Sequence, residues 1–404
     1  MTLLTIKMPR ENDNTMANVY IENMGCSRRA LDSRRFEKYF LANGFKLARN
    51  PGRADYILFI TCSFRKILED FAIRRIRELS KYKAKLIVSG CLPGINQKRL
   101  DDNFKGESFS TSYTDNIDAL FPDFRIKFNG LDDANFPYPI NLLQIFREYL
   151  FAVSLDSACF QRLKLYVKKR IWKHYYYIRV AWGCIDSHCS YCRIWQAIGG
   201  YKSKPLETCL IEFTMALRNG HKNIMLIADN IGAWGVDINS SFPDLLGKLL
   251  AVNGDYNLDI EDMHPYWIIK YFERIAPFVS SGRIRSLLCP IQSGNSRILE
   301  LMNRKHDAIE VKDILLRIKK LSPGIELQTS IIVGFPSETE DELQDTLELV
   351  KEIGFSVVNV YGYEAKSCVG AWLLEKELPE EIKQKRVKRA VKFLKKNAIA
   401  CAVA

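Results

Sequence analysis

Apolar runs of strand length alternate with helix-periodic stretches along this 404-residue chain, and their order predicts two successive parallel-sheet regions. In the amino-terminal part the apolar runs are Asn18–Gly25, Ala54–Thr61 and Ala84–Gly90, separated by helix-like Leu31–Asn43, closed by Gly44, and Lys66–Lys81. Strand, helix, strand, helix, strand is the order of a parallel sheet with crossover helices. Each run ends in a cysteine: Cys26, Cys62 and Cys91. The carboxyl ends of strands in an open α/β sheet line one crevice, so three thiols far apart in sequence are expected to converge there and hold a cluster.

The second region begins at Tyr176. Strand-like segments fall near Tyr176–Trp182, Lys222–Asp229, Asn257–Met263, Arg285–Ile291, Ile325–Val333 and Ser356–Tyr363. Helix-like segments lie between them, among them Pro205–Asn219, closed by Gly220, Ala308–Leu321, ended by Pro323, and Glu338–Ile353, closed by Gly354. Six such units predict an open, partial barrel whose active site lies at the carboxyl ends of its strands. The expected division is an amino-terminal domain over 1–125, an irregular connection over 126–175, the partial barrel over 176–375 and a basic helix over 376–404.

Directly after the first barrel strand, Gly183-Cys-Ile-Asp-Ser-His-Cys-Ser-Tyr-Cys192 places Cys184, Cys189 and Cys192 in one loop. Three thiolates this close suit an iron–sulfur cluster, and three cysteines leave one iron of a cubane open for other ligands. The competing reading is a structural zinc site in which His188 supplies a fourth ligand.

Composition narrows the class. A 47% hydrophobic, 26% charged chain is ordinary for a globular protein, and 404 residues are comfortable for two cores. Eleven cysteines in a chain this long argue for reduced thiols. Met1 to Asn18 lacks the apolar core of a signal peptide, and no apolar run reaches membrane-spanning length. A cytoplasmic protein without a membrane partner is expected. The net charge of +12 is uneven. Arg162–Lys173 interleaves bases with aromatics, a pattern able to hold an anionic or extended partner. Near the end, Lys383, Lys385, Arg386, Lys388, Arg389, Lys392, Lys395 and Lys396 surround a seam of Val387, Val391 and Leu394 at helical spacing. That reads as a solvated helix docked by one face, with nucleic acid as the alternative partner.

From about Val19 to about Lys396 the chain resembles the radical S-adenosylmethionine methylthiotransferases. The resemblance rests on Gly25-Cys26 followed by Asp32-Ser33, on Thr61-Cys62, on Gly90-Cys91 and on the three-cysteine loop. It continues through Gly200-Tyr-Lys-Ser-Lys-Pro205, Gln292-Ser293-Gly294, Met302-Asn303-Arg304 and Ile331-Ile-Val-Gly-Phe-Pro-Ser-Glu-Thr339. It implies an α/β fold, a flavodoxin-like parallel-sheet domain followed by a partial (β/α)6 radical S-adenosylmethionine barrel. It further implies two 4Fe-4S clusters, one on Cys184, Cys189 and Cys192 and an auxiliary one on Cys26, Cys62 and Cys91. S-adenosylmethionine is the implied cofactor, contacted by Tyr191 beside the adenine, by Gln292 with Ser293, and by Gly334 with Glu338. Turn or helix-cap chemistry remains the other reading of the last two pairs, with Ser337 as a cap, and His264-Pro265 reads as a helix start. No single catalytic side chain is assigned.

The chain departs from the family pattern in several places. Four residues separate Cys184 from Cys189 where the family has three. Arg29 stands in place of the usual Asn, and Asp229-Asn230 in place of a Gln-containing pair. Tyr363–Ala371 is a loose version of its block. The family's terminal β-barrel is not found before Ala404, which argues against a tRNA substrate. The reaction implied is insertion of sulfur, as a methylthio group, into an unactivated C–H bond of a peptide, protein, nucleoside or natural product. A low-potential electron donor such as flavodoxin or ferredoxin and a sulfur donor are the implied partners. Two alternatives stay open: an auxiliary cluster used for electron transfer in an oxidation or cross-linking reaction, and a non-catalytic cluster-binding module.

Overall fold

The computed structural model describes residues 16–136, 175–185, 189–366, 369–374 and 377–403. His188 and the basic stretch Arg162–Lys173 lie outside the described residues, as does most of the expected connection. The chain divides into two compact units. One comprises Met1–Pro139 with Arg193–Gly200, the other Ile140–Cys192 with Tyr201–Ala404. The excursion of Arg193–Gly200 into the first unit carries no signal in the hydrophobic pattern.

The first unit is built on a five-stranded parallel sheet of β1 (Asn18–Asn23), β2 (Lys46–Leu47), β3 (Tyr56–Thr61), β4 (Lys85–Gly90) and β5 (Glu107–Ser110), in the order β2-β1-β3-β4-β5. Helices Ser27–Ala42 and Lys66–Leu79 make the crossovers from β1 to β2 and from β3 to β4. One layer of the core is aromatic, with Phe36, Tyr39, Phe40, Phe121, Phe124 and Phe128 packed over Val19, Leu58 and Ile87. A buried ion pair crosses from helix to sheet. Arg75 donates from Nε and Nη2 to the two carboxylate oxygens of Glu22 at 2.7 and 2.8 Å, a bidentate geometry that offsets the desolvation of both charges.

The second unit carries seven parallel strands: β6 (Tyr175–Arg179), β9 (Asn223–Ile227), β10 (Asn257–Ile260), β11 (Ile284–Leu288), β12 (Glu326–Val333), β13 (Val357–Gly362) and β14 (Ala400–Val403). Their order is β14-β13-β12-β11-β10-β9-β6. The six expected strands are present, and the seventh is added after helix Glu380–Lys396. The first expected strand is broken at Val180. Beyond it β7 (Ala181–Trp182) leaves the parallel sheet and pairs antiparallel with β8 (Lys202–Ser203), so a short ladder closes the base of the cysteine loop.

Local signals explain the helix ends. Thr339 and Glu342 form a reciprocal capping box at the start of Glu340–Ile353, and Gly354 in left-handed conformation ends it. Ser337, with φ +63°, precedes the true cap and is not the cap itself. His264 caps Pro265–Val279 through Nδ1, which accepts from the Tyr266 N–H at 3.1 Å, in agreement with its reading as a helix start.

Candidate cluster and cofactor site

In the first unit, β1, β3 and β4 are adjacent, and the chain leaves each at its carboxyl end into a cysteine. Thr61 pairs with Gly90 in register, so Cys62 and Cys91 follow from neighbouring positions of neighbouring strands. Such strands lie about 4.8 Å apart. Cys26 is the exposed N-cap residue of Ser27–Ala42, whereas Cys62 and Cys91 are buried. Gly90 makes this turn possible. Its φ of 106° is open only to glycine, and a Cβ there would lie 2.3 Å from the carbonyl oxygen of Thr61. Glu69 accepts from Ser63, Asn96 and Arg99, tying the turn after Cys62 to the segment after Cys91.

The second unit holds the other triad. Gly183, at φ +78°, turns the chain out of β7 into Cys184. Ser190 anchors the loop from both ends: its N–H donates to the Met302 carbonyl at 3.0 Å, its hydroxyl to the Leu301 carbonyl at 2.8 Å, and its carbonyl accepts from Ala371 N–H at 2.7 Å. Two polar donors face the thiols. Arg304 Nη1 lies 3.7 Å from Cys189 Sγ, and Asn230 Nδ2 lies 4.0 Å from Cys184 Sγ. Arg304 also donates to the Pro290 carbonyl at 2.6 Å, which fixes its direction. In the sequence Arg304 belongs to a family block and Asn230 to a departure from one; only the fold brings them to the cysteines.

This donor set fits a thiolate-ligated cluster. Three soft ligands lie in one loop, with a partly buried cation and an amide turned toward sulfur, as hydrogen bonds to cluster sulfurs require. Among the described residues no three His, Cys, Asp or Glu side chains converge on a point where a single ion could sit. Cys26, Cys62 and Cys91 thus follow the carboxyl ends of the adjacent strands β1, β3 and β4, and neither cysteine triad forms a single-ion site.

The expected cofactor contacts surround the loop. Tyr191 packs on an apolar cluster of Ile298, Met302, Ile332, Phe335 and Tyr363, and burial holds its phenol well above the ordinary range, opposed by Arg304. Gln292 has a left-handed φ of +68° while its backbone bridges β12, donating to Ser330 O and accepting from Ile332 N, both at 2.9 Å. That strain at a strand end is typical of a functional turn. Ser293 is buried, its hydroxyl 3.2 Å from that of Thr346 and accepting from Asn295 N–H. Gly334 ends β12 with φ +76°, and Glu338 Oε2 accepts its N–H at 2.7 Å. Arg386 Nη1 donates to the same oxygen at 2.9 Å. Burial lifts the Glu338 carboxyl to about 7, opposed by the Gly334 N–H and by Arg386. The side chains of Ser293 and Glu338 thus make hydrogen bonds within their turns.

A seven-stranded parallel sheet with a three-cysteine loop after its first strand defines a radical S-adenosylmethionine fold, and comparison with known proteins agrees. Residues 183–350 match the profile described as "Radical SAM superfamily", and residues 18–110 the one described as "Uncharacterized protein family UPF0004". A probable threonylcarbamoyladenosine tRNA methylthiotransferase of Pyrococcus horikoshii is 28% identical over 380 residues, covering 92% of this chain and 82% of that one. The tRNA-2-methylthio-N(6)-dimethylallyladenosine synthase of Thermosipho africanus is 29% identical (91% and 81% covered). The ribosomal protein uS12 methylthiotransferase RimO of Chlamydia felis is 26% identical (94% and 79%). Among solved structures, the radical S-adenosylmethionine methyltransferase TsrM of Kitasatospora setae, 13% identical, superposes with a TM-score of 0.55 over 85% of this chain and 72% of that one, a likeness of fold. The two profiles together with these relatives support the radical S-adenosylmethionine methylthiotransferase family for this chain, and with it 4Fe-4S and S-adenosylmethionine chemistry that transfers sulfur or methylthio groups.

Proposed function

We propose that this enzyme inserts a methylthio group into an unactivated C–H bond of an adenosine in tRNA. The observation that carries the reading is the loop Cys184–Cys192 at the carboxyl end of the barrel sheet, with Arg304 turned onto Cys189. Cys184, Cys189 and Cys192 hold one cluster, and Cys26, Cys62 and Cys91 the other. When bound, the clusters supply the electron that cleaves a carbon–sulfur bond of S-adenosylmethionine and the sulfur that is transferred. Arg304 and Asn230 orient thiolates and place positive potential beside them. Tyr191 and its apolar cluster keep water from the adenine end of the cofactor. The backbone turns at Gln292 and Gly334 would hold the cofactor, and Ser293 and Glu338 hold those turns in shape.

The tRNA assignment is supported by relatives whose tRNA activities extend over more than nine-tenths of this chain, which outweighs the expectation against tRNA. A protein side chain is the second reading, favoured by the RimO relative. Peptide and natural-product substrates find no such support.

The test incubates anaerobically reconstituted enzyme with reductant, S-adenosylmethionine and, in parallel, bulk tRNA or ribosomal protein, followed by mass spectrometry of nucleosides and of protein. Deoxyadenosine together with a nucleoside bearing SCH3 in place of hydrogen is expected. Deoxyadenosine with the methylthio group on ribosomal protein would move the assignment to the second reading, and absence of deoxyadenosine would reject both.

A further inference from the structure

The basic residues of helix Glu380–Lys396 divide between two faces. On the inner face, Lys383 and Arg386 are 4% and 5% exposed. Arg386 Nη1 donates to the Glu338 carbonyl and carboxylate at 2.7 and 2.9 Å, and its Nε to Glu340 at 2.9 Å. Lys383 binds Glu377 at 2.9 Å and lies so near the Gly334 turn that a Cβ on that glycine would be 2.8 Å from its Cγ. Val387, Ala390, Val391 and Leu394 complete this face against the second unit's core. These residues are consumed by folding.

The outer face is different. Lys385, Lys388, Lys392, Lys395 and Lys396 are all exposed, and none has a carboxylate within ion-pair distance among the described residues. At 3.6 residues per turn they fall within an arc of about 100°, and at 1.5 Å per residue the stripe runs about 16 Å. Arg389, at its edge, is engaged by Glu340 and Gln344. A solvated helix normally intersperses both signs, whereas from Lys385 to Lys396 this face carries one sign only, with Glu381 one turn ahead of the stripe.

We infer that this lysine stripe is a docking face for the phosphate backbone of the RNA substrate, on the same helix whose inner side braces the Gly334–Glu338 turn. The inference rests on the tRNA reading above and deepens it by naming where the substrate's backbone is held. Charge complementarity selects the occupant: five uncompensated lysines in a chain of net charge +12 suit a polyanion. An anionic membrane fits poorly, since a surface-lying helix needs a free apolar face and this one's apolar face is packed inside.

The experiment measures bulk tRNA binding to reconstituted holoenzyme against salt concentration, for wild type, K388E/K392E/K395E and K388R/K392R/K395R. The log–log salt slope of the glutamate variant should fall by about 2 to 3, with the arginine variant close to wild type. Deoxyadenosine formation without RNA should be unchanged in both. An unchanged slope in the glutamate variant overturns the docking face and leaves the reaction standing. So does a variant whose only loss is in electron transfer from an acidic carrier protein, or a stripe that binds phosphatidylserine vesicles and not tRNA. If the triple variant loses iron, the single K392E decides, with a slope reduced by about one expected and no change contradictory. Methylthio product on ribosomal protein, with the tRNA slope still lysine-dependent, would refute the substrate reading and not the surface.

Discussion

Replacing Gly90 by Ala should disable the auxiliary triad while leaving the other untouched. Gly90 has φ 106° and ψ −152°, backbone that costs a side-chain-bearing residue about 1–3 kcal/mol. Sterics add to this. The new Cβ would meet Thr61 O at 2.3 Å and Thr61 N at 2.5 Å, both backbone atoms, so β3 and β4 must separate where Thr61 pairs with Gly90. Separation would also break the Thr61 hydroxyl's bonds, donated to Ser89 O at 2.7 Å and accepted from Leu92 N–H at 3.2 Å. A combined cost of about 3 kcal/mol or more lowers the population of the native turn roughly a hundredfold. Cys62 and Cys91 flank that turn. Iron per chain in G90A should therefore fall from about eight to about four, with deoxyadenosine formation intact. A G90A protein with full iron and an unchanged urea midpoint would refute the reasoning.

Arg75→Met leaves the Glu22 carboxylate buried without its partner and should cost about 3–5 kcal/mol, read as a lowered urea midpoint by circular dichroism; the double variant E22L/R75M should recover much of it. Glu338, lifted by burial to about 7 from 4.5, binds a proton in the native state that the unfolded chain releases between those values, so ionising it costs stability as pH rises through that window. Wild type should accordingly lose up to about 3 kcal/mol relative to E338Q between pH 5 and pH 8; a flat difference, or one of opposite sign, would show that burial does not dominate. Arg304→Met removes a partly buried cation 3.7 Å from Cys189 and should shift the cluster midpoint to more negative potential at unchanged iron content. An EPR-monitored redox titration showing no shift, or a positive one, would contradict that role.

The parts legible in the sequence were those with long, regular signals. Ala308–Leu321 was bounded correctly because Asp307 caps it and Pro323 follows its end. The six barrel strands carried apolar runs long enough to recognise. Lys46–Leu47, Glu107–Ser110 and Ala400–Val403 did not: all three are edge strands of two to four residues, each too short or too polar to form a pattern, and each defined by its neighbour's backbone. The cysteines were visible because strand ends are predictable from topology. Arg304 and Asn230 were not visible as partners of Cys189 and Cys184, because a separation of 115 or 46 residues is bridged only by the folded sheet. The two fates of the basic helix were half visible. Spacing showed an apolar seam, but the inward turn of Lys383 and Arg386 depends on Glu377 and Glu338 being there to receive them.

The most direct measurement is iron and Mössbauer quantification of anaerobically reconstituted wild type beside two variants, C184A/C189A/C192A and C26A/C62A/C91A. Two cubane clusters on separate triads predict about eight irons in wild type and about four in each variant. Deoxyadenosine formation should be lost in the first variant only, and methylthio transfer in both. A wild type with a single cluster, or an upstream variant that still transfers sulfur, would contradict the account.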